Sequence, residues 1–64
     1  MEVFIEREGR KEQIEFEGKV RKLLEKIKVN PSEVLVVVND ELATEDDVVK
    51  KGDKVKLLSV ISGG

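Results

Sequence analysis

The chain has 64 residues and contains neither cysteine nor histidine. This composition excludes disulfides, zinc sites and nucleophilic or acid-base catalysis that depends on histidine or cysteine. Charged side chains make up 41% of the sequence, but 12 basic and 14 acidic groups leave a net charge of only -2. A general attraction to a nucleic-acid backbone is therefore not expected.

No apolar run approaches the roughly 18 residues that span a membrane. The start, Met1-Glu2-Val3-Phe4, lacks the charged and apolar regions of a signal peptide. We therefore expect one domain over residues 1–64, located in the cytoplasm and monomeric when free. It is expected to bind neither nucleic acid nor a membrane.

The first 17 residues predict a β-hairpin. Val3-Phe4-Ile5 opens a strand in which Val3 and Ile5 point to one face and Phe4 to the other. Arg7-Glu8-Gly9-Arg10 predicts a polar turn, with a glycine available for a positive φ. Ile14 and Phe16 alternate with polar residues, which predicts the second strand.

An amphipathic helix is predicted after Gly18, which breaks the strand pattern. Its apolar face has the i, i+3, i+4, i+7 spacing of Val20, Leu23, Leu24 and Ile27. The opposite face is mostly basic, but Glu25 interrupts it and no aromatic residue is interleaved, so we interpret it as a solvated face. Asn30-Pro31 predicts the end of the helix.

The run from Val34 to Val38 consists of five apolar residues and predicts a strand. Either both of its faces are covered, or one face is kept for a partner. Asn39-Asp40 predicts a turn, and Leu42-Ala43 a short return strand. Thr44, with an acidic residue three positions later, predicts one helical or 3₁₀ turn that buries Val48 or Val49.

The acidic residues of this region fit no calcium loop, because their spacing is wrong and the glycine of such a loop is missing. We interpret them as solvated capping residues and predict no metal site: Glu41, Glu45, Asp46 and Asp47.

Gly52-Asp53 predicts the last turn, and residues 54–61 predict the last strand. Val55 and Leu57 fall on one face of that strand, while Lys56, Leu58 and Val60 fall on the other. One helix laid across a mixed sheet of four to five strands is an α+β roll, the β-grasp fold, with its first and last strands parallel at the centre. The predicted core consists of Val3, Ile5, Ile14, Phe16, Val20, Leu23, Leu24, Ile27, Val55 and Leu57.

The sequence closes on Ser62-Gly63-Gly64, and we expect residues 62–64 to form a flexible tail. Glycine lacks a Cβ atom, so a diglycine can thread a channel too narrow for other residues and leaves a carboxylate unhindered. Taken alone, two glycines are also typical of a frayed terminus.

Three features in order resemble the ubiquitin-like sulfur carriers of the ThiS and MoaD family, which is related to archaeal ubiquitin-like modifiers. They are Val36-Val37-Val38-Asn39-Asp40-Glu41, like the family's central strand and Asn turn; Gly52-Asp53-Lys54-Val55, like its Gly-Asp turn; and the terminal Gly63-Gly64. The resemblance covers essentially the whole chain. It implies a carrier protein rather than an enzyme.

The resemblance further implies that the carboxylate of Gly64 is adenylated by a ubiquitin-activating-type enzyme, of the ThiF or MoeB type, that uses ATP and Mg²⁺. The activated group is then converted to a thiocarboxylate or passed on as a thioester. Catalytic residues belong to the partner, and the carrier binds no cofactor. A sulfur donor and a downstream synthase or acceptor protein are the other implied partners.

Three functions stay open at this point. Sulfur carriage for thiamine, molybdopterin or tRNA thiolation comes first, conjugation to lysines through the diglycine second, and a β-grasp binding module with an inert tail third. The predicted partner-binding residues are Phe4, Leu58 and Val60 on the outer sheet face, together with Ser62. Apolar side chains left unburied usually mark a partner site, although a loop or a dimer contact is the alternative.

Overall fold

The computed structural model describes residues 1–60. The predicted flexible tail, residues 62–64, and the predicted end of the last strand at Ile61 lie outside the described residues.

Within residues 1–60 the chain forms seven strands and one α-helix, with two short 3₁₀ helices at Glu6–Glu8 and Pro31–Glu33. The α-helix, α1, is Val20–Lys26. The strands are β1 (Glu2–Ile5), β2 (Arg10–Gln13), β3 (Gly18–Lys19), β4 (Val34–Val38), β5 (Glu41–Ala43), β6 (Val48–Val49) and β7 (Lys54–Ser59).

Five of the strands form one sheet in the order β2-β1-β7-β4-β5, and β3 pairs with β6 in a separate two-stranded ladder. β1 and β7 are parallel, whereas β7 and β4 are antiparallel. The first and last strands are thus neighbours at the centre of a mixed sheet, as the sequence predicts. The β-grasp roll is confirmed.

The core lies between the inner face of this sheet and α1. Leu23 and Leu57 are both 0% exposed, and Leu24 is 1% exposed. The predicted residues Ile14, Phe16 and Ile27 are only partly buried and pack at the margin of the core. Two residues absent from the predicted core list are buried in it, Val36 on β4 and Val49 on β6.

The predicted second strand at Ile14 and Phe16 is wrong. β2 lies earlier in the chain, over the polar segment Arg10–Gln13, and Ile14 only closes the ladder by donating its N–H to the Met1 carbonyl at 2.9 Å. β2 is an edge strand, and charged side chains protect an exposed edge from further pairing. The turn before it is as predicted, since Gly9 has φ 61° and ends the first 3₁₀ helix.

Helix α1 is shorter than predicted at both ends. Lys19 pairs with Val48 of β6 instead of starting the helix, and Gly18, predicted to break a strand, belongs to β3 and pairs with Val49. At the other end Lys28 adopts φ 59°, and the N–H of Val29 donates to the Leu24 carbonyl at 2.9 Å, which is the pattern of a Schellman cap. The helix therefore ends before Asn30-Pro31, where Pro31 instead begins the second 3₁₀ helix.

The helical turn predicted at Thr44 is a simple turn in the structure. The N–H of Asp47 donates to the Thr44 carbonyl at 3.1 Å, and the Asp47 carboxylate accepts the Thr44 N–H at 2.8 Å. The side chain thus makes the expected bond back to Thr44. No helix follows, because Val48 enters β6 at once, and it is Val49 that is buried.

The Asn39-Asp40 turn and the Gly52-Asp53 turn are joined by hydrogen bonds. Asn39 and Asp40 have φ 51° and 67°, the left-handed values of a two-residue hairpin turn between β4 and β5. The Asn39 amide donates to the Asp53 carboxylate at 3.1 Å and accepts the Lys54 N–H at 3.1 Å. Asp53 also accepts the Lys50 N–H at 2.8 Å. Asn39 and Asp53 therefore fix one end of the central strands.

The hydrogen bond from the Lys50 backbone, followed by that from Asn39, lowers the pKa of Asp53 from its ordinary value of 3.8. Both bonds favour the ionised carboxylate. The carboxylate thus contributes stability above pH 3.8, and this contribution is lost as the pH falls through the lowered pKa.

Replacing the fully buried Leu23 by alanine is expected to lower the free energy of unfolding by about 2–5 kcal/mol, because it leaves a cavity beneath the sheet. Leu42, which is 73% exposed, is the matched control, and its replacement by alanine should change stability little. Urea unfolding of both variants measures the difference. Equal losses would contradict the assignment of the core.

Asp53→Asn is expected to destabilise the protein at neutral pH, because the amide loses the charge that accepts two N–H groups. The difference in stability between the variant and the unsubstituted protein should disappear as the pH falls below 3.8. There the unsubstituted protein loses the stabilisation that its ionised Asp53 provides. Thermal unfolding across the acid range tests this. The exposed Glu45→Gln is the control, and a gap independent of pH would refute the role of the charge.

Candidate functional site

The outer face of the five-stranded sheet, opposite α1, carries the candidate site. One row crosses all five strands: Lys11 pairs with Phe4, Phe4 with Lys56, Lys56 with Val37, and Val37 with Leu42. Successive side chains of a strand point to opposite faces. This row therefore lies on the face opposite the buried Val3, Val36 and Val55.

A second row on the same face pairs Leu35 of β4 with Leu58 of β7. Leu58 is partly buried and Leu35 is 48% exposed. Phe4 pairs with Lys56, so Leu58, two residues further along the parallel strand, is its diagonal neighbour, a distance that aromatic side chains can reach. We call Phe4, Leu35, Val37, Leu42 and Leu58 the outer patch.

Leu35, Val37 and Leu42 are not among the predicted partner-binding residues. For Leu35 and Val37 the available signal is the apolar run from Val34 to Val38, for which one face kept for a partner is an open alternative. What was missing was the register, because the pairs Leu35 with Leu58 and Val37 with Leu42 depend on which strands are neighbours.

Lysines flank the apolar side chains of the outer patch. Lys56 lies between Phe4 and Val37, and its Nζ is 3.6 Å from a carboxylate oxygen of Asp40. A shallow depression beside Phe4 is lined by Lys11, Lys54 and Lys56, with Glu2 and Asp40. The surface thus combines apolar side chains with charged side chains of both signs. Apolar contact area bordered by polar groups is typical of a protein-binding patch.

The structure places Phe4, Leu58 and Val60 as follows. All three are partly buried; Phe4 and Leu58 lie in the outer patch, and Val60 follows the end of β7. The predicted site residues Ser62, Gly63 and Gly64 lie outside the described part of the chain.

The end of β7 is held from both sides. The Val60 N–H donates to the Glu33 carbonyl at 3.1 Å on the β4 side. The Ser59 N–H donates to the carboxylate of Glu6 at 3.0 Å on the β1 side. Arg7 and Glu33 form an ion pair of 3.0 Å between the two 3₁₀ helices. Ser59 and Val60, from which the chain continues toward Gly64, are therefore fixed to the sheet.

In the described range, residues 1–60, no three acidic side chains converge as metal ligands would. Asp46 pairs with Arg21, and Asp47 bonds back to Thr44. No helix of that range has the length and apolar character needed to cross a bilayer.

The chain is similar to known proteins over its whole length. The model of the ThiS family matches residues 3–64. The sulfur carrier protein TtuB of Thermus thermophilus is 39% identical over 66 residues, covering 100% of both chains.

Two solved structures of a Geobacter metallireducens thiamine biosynthesis protein are also similar. The crystal structure, of ThiS, aligns with a TM-score of 0.67 at 27% identity and covers 100% of both chains. The solution structure aligns with a TM-score of 0.59 at 28% identity and covers 100% of this chain and 88% of the other. The chain belongs to the ThiS family of β-grasp proteins, which confirms the family that its motifs indicate.

Proposed function

We propose that this protein is a sulfur carrier whose Gly64 carboxylate is activated by a partner enzyme and converted to a thiocarboxylate. The observation that carries the proposal is the match to the ThiS family across residues 3–64, which includes the diglycine. The likeness to a sulfur carrier of Thermus thermophilus over the full length of both proteins supports it.

The proposed chemistry has two steps. A carboxylate oxygen of Gly64 attacks the α-phosphorus of ATP, and pyrophosphate leaves, which gives an acyl adenylate. Hydrosulfide (HS⁻) delivered by the sulfur donor then attacks the acyl carbon, AMP leaves with the bonding electrons, and loss of the S–H proton gives the thiocarboxylate. Activation is needed because a free carboxylate is a poor electrophile. ATP and Mg²⁺ are used by the partner enzyme, and the carrier itself binds no cofactor.

The carrier supplies position rather than catalysis in this scheme. The whole sequence lacks histidine and cysteine, so it offers neither the usual proton shuttle nor a thiol nucleophile. The catalytic groups belong to an adenylating enzyme of the ThiF or MoeB type. In this proposal Gly63 and Gly64 enter its ATP site, and Ser62, which precedes them in the sequence, contacts the partner.

The outer patch is the proposed docking surface for that enzyme. Its apolar side chains surround Lys56, and Leu35 and Leu42 remain 48% and 73% exposed in the free domain. Docking through a sheet face leaves the end of β7 accessible, so the same partner can hold the domain and receive Gly64. Transfer to a synthase or acceptor for thiamine, molybdopterin or tRNA thiolation follows.

Leu58→Asp is expected to leave the domain folded, since Leu58 lies outside the core cluster, and to weaken binding to the cognate adenylating enzyme. A buried interface anchor is worth about 2 kcal/mol, so the dissociation constant should rise by more than tenfold. Titration calorimetry measures it. Val48→Asp is the matched control, because Val48 is 58% exposed and lies in the separate β3–β6 ladder. Unchanged affinity for Leu58→Asp would remove the outer patch from the proposal.

Deleting Gly64 is expected to abolish ATP–pyrophosphate exchange with the same enzyme, and Gly63→Val should nearly abolish it by steric block. Stability and docking affinity should not change, because both depend on residues of the sheet and core. An unchanged docking affinity of both variants is the control, because it shows that they still bind the enzyme correctly. Exchange at the full-length rate after deletion would show that Gly64 is not the reacting group and would favour an inert tail.

Mass spectrometry of the protein from cells separates carriage from protein modification. A thiocarboxylate raises the intact mass by the difference between sulfur and oxygen. Conjugates linked through Gly64 to lysines would instead support the modifier function.

A further inference from the structure

We propose that Glu6 is a positioning residue for the adenylation step, a proposal that rests on the function given above. Its carboxylate holds the base segment, defined as Ser59 and Val60, and so sets the point from which the chain reaches into the partner enzyme. Glu6 itself does not touch the reacting atoms.

The geometry at Ser59 shows why a side chain is needed there. Backbone N–H groups alternate in direction along a strand. The Val60 N–H points to β4, where the Glu33 carbonyl accepts it, so the Ser59 N–H points to β1. But β1 ends at Ile5, and the chain then turns into the first 3₁₀ helix. The strand therefore offers no backbone carbonyl at this position.

The carboxylate of Glu6 replaces that missing carbonyl. It accepts the Ser59 N–H at 3.0 Å across a sequence separation of 53 residues. Among the side-chain hydrogen bonds within residues 1–60, it is the one that reaches the base segment. A bond to an ionised acceptor is stronger than one between neutral groups.

The other contacts at the end of β7 do not duplicate this role. The Glu33 carbonyl holds Val60 from the β4 side, and no side-chain substitution removes it. The ion pair between Arg7 and Glu33 links the two 3₁₀ helices, but these side chains are 63% and 49% exposed. Exposed ion pairs of this kind contribute little. Glu6 is therefore the side chain on which the β1 side of the base segment depends.

Position matters here because the connection to the reacting group is short. Four residues separate Val60 from the end of Gly64, and four residues span at most about 14 Å. With the domain docked through the outer patch, the position of the base segment therefore limits where Gly64 can reach. A misplacement of about 1 Å can cost up to about 100-fold in rate.

The test compares Glu6→Ala and Glu6→Gln with the full-length protein in ATP–pyrophosphate exchange with the cognate enzyme. Glu6→Ala should lower kcat by about tenfold while the KM for the carrier stays unchanged, because the outer patch is intact. Glu6→Gln should restore most of the rate, since its amide oxygen can accept the same N–H. Glu8→Ala is the matched control: Glu8 lies in the same 3₁₀ helix but pairs with Arg10.

A second readout is independent of the enzyme. Amide hydrogen exchange at Ser59 in the free protein should be faster in Glu6→Ala than in Glu6→Gln or Glu8→Ala. Unchanged exchange at Ser59, or an unchanged kcat for Glu6→Ala, would overturn the inference.

Equal defects in Glu6→Ala and Glu6→Gln with a raised KM would also overturn it, because they would show that the charge contacts the partner directly. An unsubstituted chain that supports no exchange at all would overturn the proposed function, and this inference with it. An active chain with an unaffected Glu6→Ala would overturn the inference alone.

Discussion

The structure depends on β7 being paired on both sides, parallel to β1 and antiparallel to β4. This central position buries Val55 and Leu57 against α1 and turns Lys56 and Leu58 to the outer face. The same strand then delivers Ser59 and Val60 to the edge of the domain. One six-residue strand thus contributes to the core and to the candidate docking surface, and it also sets where the chain leaves the sheet.

Much of this architecture could be predicted because it follows from local periodicity. The helical spacing of Val20, Leu23 and Leu24 indicates which side chains face the sheet, and all three are buried. The alternation in residues 54–60 separates the two faces of β7 in the same way. The alternation of Ile14 and Phe16 predicts the wrong strand, but it still indicates side chains that face the core, since both pack at its margin.

The features that could not be predicted from the sequence depend on contacts between residues that are distant in the chain. β2 consists of polar residues, and only its pairing with β1 makes it a strand. The left-handed conformation of Lys28 ends α1, and few non-glycine residues adopt this conformation. A lysine at this position therefore does not predict the end of the helix. The candidate site could not be predicted in full for the same reason. The pairing of Leu35 with Leu58 and the hydrogen bond from the Ser59 N–H to Glu6 join residues that are far apart in the chain.

The parallel contact between β1 and β7 also has a kinetic consequence. The two strands are separated by nearly the whole described sequence, and non-local pairing of this kind slows folding because the loop must close before the contacts form. During synthesis β1 emerges from the ribosome long before its partner exists. Until β7 is made, the inner side chains of β1 and α1 have no central strand to cover them. A chain that lacks β7 is therefore unable to assemble the sheet, and the folded domains are molecules that already carry the strand leading to the diglycine.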